Sequence, residues 1–496
     1  MGRNKWVDPA PFEGYRPRVP WWTLLPGRVK WIALPFMLTF LAAWGLVRLV
    51  LVVVRYPVVT LVPLSALWFY GRFGLSPLVL ALLALVAALV LWAGIDLSSF
   101  LRCCWFRLLT EWRRATVYVP RWRTTVRLAD LTKTSRGKEH RPRLRRVRSE
   151  GWRDRVRVRM IPAQSPDTWE LRRDGLAHAF GAQSCRVRVL KPRVVELDFV
   201  HSDPLARPIG VPALVTGGQS AVDLKKVQVG VTEAGKRWAL RLLGNQLLGV
   251  GVQGAGKGSL LWSIVWALAP AVKAGVVRLV GIDPKGGMEL GQCPDAFERL
   301  VFDNGLAAVE LLEGLAAEVK ERAARYRGVQ RLWARGTGEP FTLIVIDELA
   351  DLVAYQPDKN LRERAVRALQ TITSQGRAPG YAVLGLVQDP RKEVVAFRHL
   401  FGTRVALRLD EPQQVDMVLG EGVRQRGAAA HEISENTPGV AWVKTDGRGA
   451  PERVRAFHVT DSDLVELSLF FSTPDATVHA FPSRPDGGDT SGGVAA

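Results

Sequence analysis

Residues 251–259 read Gly251-Val252-Gln253-Gly254-Ala255-Gly256-Lys257-Gly258-Ser259. Such a run suits the binding of a polyphosphate. Glycines let successive main-chain N–H groups curl around an anion, a following helix adds positive potential at its N-terminus, and the lysine reaches the β- and γ-phosphates. Leu247 to Val250 is an apolar stretch of strand length, and Leu260, Leu261, Ile264, Val265 and Leu268 recur at helical spacing. Strand before and helix after distinguish this loop from a chance glycine turn. The spacing therefore predicts ATP bound along Gly251 to Leu260, with Mg²⁺ alongside. The hydroxyl residue that ordinarily follows the lysine is here Gly258, and the hydroxyl comes one place later. Two alternatives stand: Ser259 bends in as a metal ligand, or phosphates, water and Asp347 hold the metal.

The second half of such a site is a buried strand ending in acids. Phe341-Thr342-Leu343-Ile344-Val345-Ile346-Asp347-Glu348 supplies it. Four consecutive aliphatic residues suit a central parallel strand covered on both faces. At its carboxyl end Asp347 is placed to hold the metal shell and Glu348 to polarise an attacking water. Residues 276–282 form a further strand ending in Asp283-Pro284-Lys285, and residues 382–387 form another ending in Gln388, the position of a γ-phosphate sensor. Arg377 and Arg404 are the candidate arginine fingers acting on a neighbouring subunit. Tyr355 and the helical tryptophans read as packing groups.

The elements that carry these residues belong to a chain of 496 residues with 68 Lys+Arg against 47 Asp+Glu, a net charge of +21. That length exceeds what one hydrophobic core sustains, and the charge calls for an anionic partner, a phosphate backbone or an anionic membrane face. The four cysteines, Cys103, Cys104, Cys185 and Cys293, make no zinc-spaced cluster and no disulfide framework.

Residues 1–30 read as a basic cytoplasmic leader. Two spanning helices are expected at about 31–54 and 75–95, the first carrying Arg48 and the second no charge. Basic flanks on both sides place both chain ends in the cytoplasm of a multi-pass cell-membrane protein. Residues 58–70, apolar but interrupted by Pro63, suit a re-entrant or interfacial piece. Residues 96–152 read as a basic juxtamembrane linker. From Arg121 to Arg159 there are fifteen Lys+Arg and four acids, which reads as a solvated, partly disordered face or as a surface for lipid headgroups or nucleic acid. A small α+β domain is expected at 153–205, the nucleotide domain at 206–462, and a disordered tail at 463–496.

Together the blocks GVQGAGKGS at Gly251, IDPKGGMEL at Ile282, LIVIDELADL at Leu343, GRAPG at Gly376, LVQDP at Leu386 and GTRVALRL at Gly402 resemble the FtsK/SpoIIIE-type DNA translocases, above all the actinomycete plasmid and integrative-element transfer proteins. The resemblance spans roughly Val156 to His458. It implies an α/β, RecA-like P-loop NTPase motor domain, preceded by a small α+β domain and an N-terminal transmembrane helical region. It further implies a homo-oligomeric ring, a hexamer, that closes on double-stranded DNA and moves it with ATP and Mg²⁺. Catalysis would then fall to Lys257, Asp347, Glu348, Gln388 and Arg404, with Ser259 and Asp347 at the metal. The winged-helix module of many members has no counterpart after His458. Conjugative transfer is the reading adopted; the alternatives are a chromosome-segregation motor at the septum, a secretion or coupling ATPase that engages polypeptide, and a scaffold that keeps the nucleotide site without turnover.

Overall fold

The computed structural model describes residues 57–472, apart from 136–137, 215–221, 392–397 and 448. The chain divides into two compact units, residues 1–111 and 112–496.

In the first unit, helices Pro57–Phe73 and Leu75–Ile95 are separated by Gly74. Leu75–Ile95 buries none of its residues and is, among the described residues, the one helix long and apolar enough to cross a membrane. The expected span at 31–54 lies outside the described residues. Residues 58–70 are not broken at Pro63. The helix runs through it, because one missing hydrogen bond in an apolar segment does not end a helix that neighbouring turns sustain. Helical turns Leu97–Phe100 and Phe106–Arg113 follow.

The second unit opens with helix Val119–Leu128 and a short antiparallel pair, β1 (Lys133–Ser135) and β2 (Lys138–His140). Strands β3 (Arg143–Ser149), β4 (Arg153–Arg159), β5 (Ser184–Lys191) and β6 (Val194–Val200) then form an antiparallel sheet in the order β3-β4-β6-β5. Strand alternation sorts their side chains. Val147, Val156, Val158, Leu197, Phe199 and Val187 turn to one face and meet Tyr118, Trp122, Val126, Trp169 and Phe180 from the helices in a single core.

This corrects two expectations. The stretch taken as a linker from 96 to 152 is folded over its second half, since β3 is the sheet's edge strand and Trp122 and Val126 are buried. The small domain therefore begins well before residue 153. The described residues of the basic run are likewise ordered: Arg143, Arg146, Arg148, Arg155, Arg157 and Arg159 lie on strands β3 and β4 whose Val147, Val156 and Val158 turn inward, and several arginines pair with acids, among them Arg157 with Glu196 at 2.7 Å and Arg127 with Glu139 at 2.8 Å.

Ten strands make the large sheet: β7 (Val227–Thr232), β8 (Arg237–Leu240), β9 (Leu247–Val250), β10 (Val277–Ile282), β11 (Arg299–Val301), β12 (Phe341–Ile346), β13 (Tyr381–Val387), β14 (Thr403–Ala406), β15 (Val440–Thr445) and β16 (Glu452–Ala456). Their order is β11-β10-β12-β13-β9-β14-β15-β16-β7-β8. The half from β11 to β14 is parallel, and the remaining pairs are antiparallel.

Parallel strands need cover on both faces, and β12 shows it residue by residue. Phe341, Leu343 and Val345 pack with helix Lys257–Lys273 on one face, while Ile344 and Ile346 pack with helices Leu306–Tyr326 and Lys359–Gln375 on the other. The expected tail also begins later than residue 463. Asp461–Ser472 is a helix whose Leu464 and Leu467 are buried, because apolar residues three apart share one face and reach the core. Residues 473–496 lie outside the described residues.

Candidate nucleotide site

Strand β9 runs into the glycine loop, and helix Lys257–Lys273 starts within it. Gly256 takes φ 92°, and a Cβ there would stand 2.1 Å from the Gly439 nitrogen. The two segments touch because Gly439 N–H donates to Ala255 C=O at 2.9 Å, while Val252 N–H donates to Arg408 C=O at 3.0 Å. β13 and β14 flank β9 in the sheet, and the phosphate loop is braced by the end of β13, where Val387 C=O accepts from Gly251 N–H at 3.0 Å, by the stretch after β14 and by the residue before β15.

Lys257 donates from Nζ to the main-chain oxygens of Gly251 at 2.8 Å and Val252 at 3.2 Å. Burial lowers its pKa, against the pull of Glu348, Asp347 and Glu289, whose charges it feels.

Strand β12 carries the acids. Only β13 separates it from β9, and all three are parallel, so the carboxyl end of β12 and the loop that leaves β9 share one rim of the sheet. In open parallel sheets ligands are held at that rim. Asp347 and Glu348 sit there, 6% and 4% exposed. Burial raises the Glu348 pKa, opposed by the positive charges of Lys285 and Lys257. The Gln388 main-chain N–H, at the end of β13, donates to Glu348 Oε1 at 3.4 Å, so the expected sensor position does lie beside the acid.

Two residues that sequence reasoning had not assigned complete the cluster. Lys285 follows β10, and its Nζ stands 3.1 Å from Asp347 Oδ2 and 3.4 Å from Glu348 Oε2. Those two carboxylates raise its pKa although burial works the other way. Glu289 is the second. Fully buried Asp283 accepts N–H bonds from Lys285, Glu289 and Leu290, at 3.1, 2.9 and 2.9 Å, and so fixes the turn that aims both side chains. Trp262, from the loop's own helix, donates Nε1–H to Glu289 Oε1 at 2.8 Å. The only signal in the sequence was position: a Lys and a Glu just past the end of a strand adjacent to the acid strand.

The hydroxyl expected at the metal lies elsewhere. The Ser259 side chain is next to Gly439, on another side of the helix from Glu289, and no contact recorded among the described residues joins it to Asp347. A one-residue step turns a helix by about 100°, so a hydroxyl one place late points to a different neighbour. Arg404 is not part of this cluster. It sits level with Leu248 in the sheet, short of the loop, with its guanidinium 3.4 Å from Asp446. Arg377 packs against Gly244. Arg408 is the arginine at the loop, donating to Gln253 C=O at 3.1 Å and pairing with Glu435 at 3.0 Å.

The donor set fits a magnesium ion. Mg²⁺ is usually held by one or two carboxylates with waters and substrate phosphates, not by a cage of protein ligands. Among the described residues there is no group of three or more His, Cys, Asp or Glu arranged as such a cage. What the rim offers is carboxylate oxygen, with the Lys285 ammonium already settled between two of the acids as a cation.

Residues 200–433 match the FtsK/SpoIIIE family, and residues 88–201 match the actinomycete conjugal transfer protein N-terminal domain. Over 385 residues the chain is 27% identical to the transfer protein TraSA of Streptomyces ambofaciens, covering 71% of this chain and 87% of that protein. It is 28% identical over 256 residues to the DNA translocase FtsK of Corynebacterium efficiens, a match covering 47% of this chain and only 26% of the relative. Among solved structures, the monomer form of the pCW3 conjugation coupling protein TcpA with ATPγS is similar at 20% identity and a TM-score of 0.46, over 70% of this chain and 98% of that one. The two family matches adjoin and run from the helices after residue 88 through the glycine loop, the acid strand and the strand that carries Arg404. Residues 200–433 thus belong to the FtsK/SpoIIIE family, in the arrangement that sets the actinomycete conjugal transfer N-terminal domain, residues 88–201, ahead of the nucleotide-loop domain.

Proposed function

We propose that this chain is a membrane-anchored, ATP-hydrolysing translocase of double-stranded DNA that serves conjugative transfer of a plasmid or integrative element and works as a homo-oligomeric ring, a hexamer, on the cytoplasmic face of the cell membrane. The observation that carries the reading is the meeting of Lys257 with Asp347 and Glu348 on one sheet rim, in a domain of this family. Membrane attachment is supported by the unburied apolar helix Leu75–Ile95.

ATP binds with its phosphates along residues 251–260, and Lys257 exchanges its main-chain partners for β- and γ-phosphate oxygens. Glu348, buried and braced by the Gln388 N–H, takes a proton from the attacking water. Asp347 orients the metal shell; Mg²⁺, when bound, neutralises charge that develops on the phosphates. Arg404 from a neighbouring subunit is assigned the role of the trans-acting finger.

Grip on DNA is through phosphates, and the small domain bears a surface suited to it. Across β3 and β4, Arg146 faces Arg157 and Arg148 faces Arg155 in register. Part of this charge is answered within the domain, Arg157 by Glu196 and Arg155 and Arg148 by Glu150; a polyanion would answer the rest.

The test is phosphate release by the full-length chain in lipid nanodiscs, with duplex DNA, with a polypeptide substrate, and with neither, at two salt concentrations. Stimulation by duplex DNA that falls with salt is the expected result. Stimulation by polypeptide alone would assign the chain to secretion, and no turnover under any condition would leave a scaffold.

A further inference from the structure

The loop lacks the hydroxyl residue directly after its lysine, and the structure shows what stands in that place. A Cβ built on Gly258 would lie 2.3 Å from Glu289 Oε1 and 3.1 Å from Glu289 Cδ. A side chain at position 258 requires this carboxylate to move and to leave the Trp262 indole, so Gly258 and Glu289 form a matched pair. Four contacts hold the Glu289 segment there: the Trp262 indole N–H on Oε1, the Glu289 and Leu290 main-chain N–H groups on Asp283, and the burial of Leu290 beneath them.

We propose that Glu289 supplies, from the far side of the site, the oxygen ligand that a serine or threonine after the lysine supplies in an ordinary phosphate loop, so that the metal of the ATP complex is held between Glu289 and Asp347. This rests on the ATPase reading above and deepens it. Three observations support it independently of each other. The carboxylate oxygen lies 2.3 Å from where the side chain of residue 258 would begin. Asp347 is tied to the strand end that carries the Glu289 turn, its N–H donating to Ile282 C=O at 3.1 Å while the next residue, Asp283, accepts from the Glu289 N–H at 2.9 Å. And Ser259, the other source of a hydroxyl, is turned to Gly439. An anionic oxygen in place of a neutral hydroxyl binds a hard dication more strongly. It also adds a charge that Lys285 and Lys257 must balance in the absence of metal, which accounts for a second lysine lodged between the acids.

The experiment measures binding, not turnover. Mn²⁺ serves as the probe, titrated by electron paramagnetic resonance into the full-length chain in nanodiscs with saturating ATPγS. Glu289→Gln preserves shape and an acceptor for Trp262; it is expected to weaken Mn²⁺ binding by 10-fold or more while metal-free ATPγS affinity stays within about 2-fold, the scale seen when a metal site loses a supporting partner. Gly258→Ser alone is expected to weaken both, through the collision. Gly258→Ser combined with Glu289→Ala restores a hydroxyl and removes the obstacle, so it should recover Mn²⁺ affinity relative to Glu289→Ala. Unchanged Mn²⁺ affinity in Glu289→Gln, or no recovery in the double variant, overturns the proposal. Failure of the unmodified chain to bind ATPγS at all defeats the nucleotide reading itself, a different outcome from either.

Discussion

Lys285 is ion-paired with Asp347 at 3.1 Å, across the gap between two adjacent parallel strands. The same ammonium reaches Glu348 at 3.4 Å. One cation therefore stands against both acids to which hydrolysis is assigned in the proposed function, and its removal has a defined sign for Glu348. Glu348 is already raised by burial, with Lys285 and Lys257 acting against the rise. Its basic form is the working one, so turnover climbs with pH through this raised value. In Lys285→Ala the opposing charge is gone, the Glu348 pKa rises further, and the acid limb of the kcat profile moves to higher pH. A profile measured in both proteins checks it; an unmoved limb means that Glu348 is not the titrating base.

Glu348→Gln keeps the volume and the Gln388 N–H partner but cannot accept a proton. Turnover is expected to fall by at least about 10²-fold, in line with the loss of a positioned general base. ATPγS affinity should stay within about 2-fold, because the acid is not among the groups that cradle phosphate. Lys257→Ala is expected to reverse the pattern and lose affinity as well. Equilibrium binding by fluorescence and phosphate release, run on the two variants side by side, give the comparison.

Much of this site was legible before any coordinates. That Lys257, Asp347 and Glu348 meet at one rim of the sheet could be read beforehand, because loop chemistry and a four-aliphatic strand are local signals, and a strand buried on both faces has one readable pattern. Gln388 followed from the same logic one strand over. Glu289 and Lys285 were missed as site residues because their roles come from the turn fixed by Asp283, a tertiary arrangement without local periodicity. The small domain was cut short at residue 153 for a different reason. Arg143, Arg145, Arg146 and Arg148 dominate β3, and their charge masks the buried Val147 and half-buried Leu144 that tie the strand to the core. Composition reports the exposed face of such a strand and hides the other.

The junction between the two parts of the second unit depends on buried charge. Arg453, 8% exposed, donates to both oxygens of Asp203 at 2.7 Å and to Glu233 at 3.0 Å, while Glu233 also accepts from Arg186 of the small sheet at 2.7 Å. Removing Arg453 takes from Asp203 the guanidinium that holds both its oxygens, and leaves Glu233 with Arg186 and the longer contact to Arg153. Arg453→Met is expected to cost about 3–5 kcal/mol, read as a fall in denaturant midpoint. The Asp203 carboxyl, pushed up by burial but pulled further down by Arg453, lies below its ordinary value. A depressed acid contributes stability that is complete above the unfolded-state pKa and lost as pH falls through the folded one. Acid unfolding of the unmodified chain should therefore show a contribution below about pH 4 that Arg453→Met lacks.

Arg404 gives the last prediction, and its position in the fold decides how the test must be built. It lies level with Leu248, two residues before the strand end at Val250, and its guanidinium is paired with Asp446 on the exposed side of β14 and β15. Within one subunit it does not join the Lys257 cluster, so any catalytic part it plays is delivered to a neighbour. Arg404→Ala should then bind ATPγS normally and hydrolyse ATP poorly, while Lys257→Ala fails at binding. If the proposed ring forms, mixing the two inactive proteins gives some interfaces that combine an intact Lys257 with an intact Arg404. Turnover should reappear and peak near equal proportions, where such interfaces are most frequent. If mixtures stay as inactive as their components while rings still assemble, Arg404 is not the finger, and Arg408, which touches the loop at the Gln253 carbonyl, becomes the arginine to substitute next.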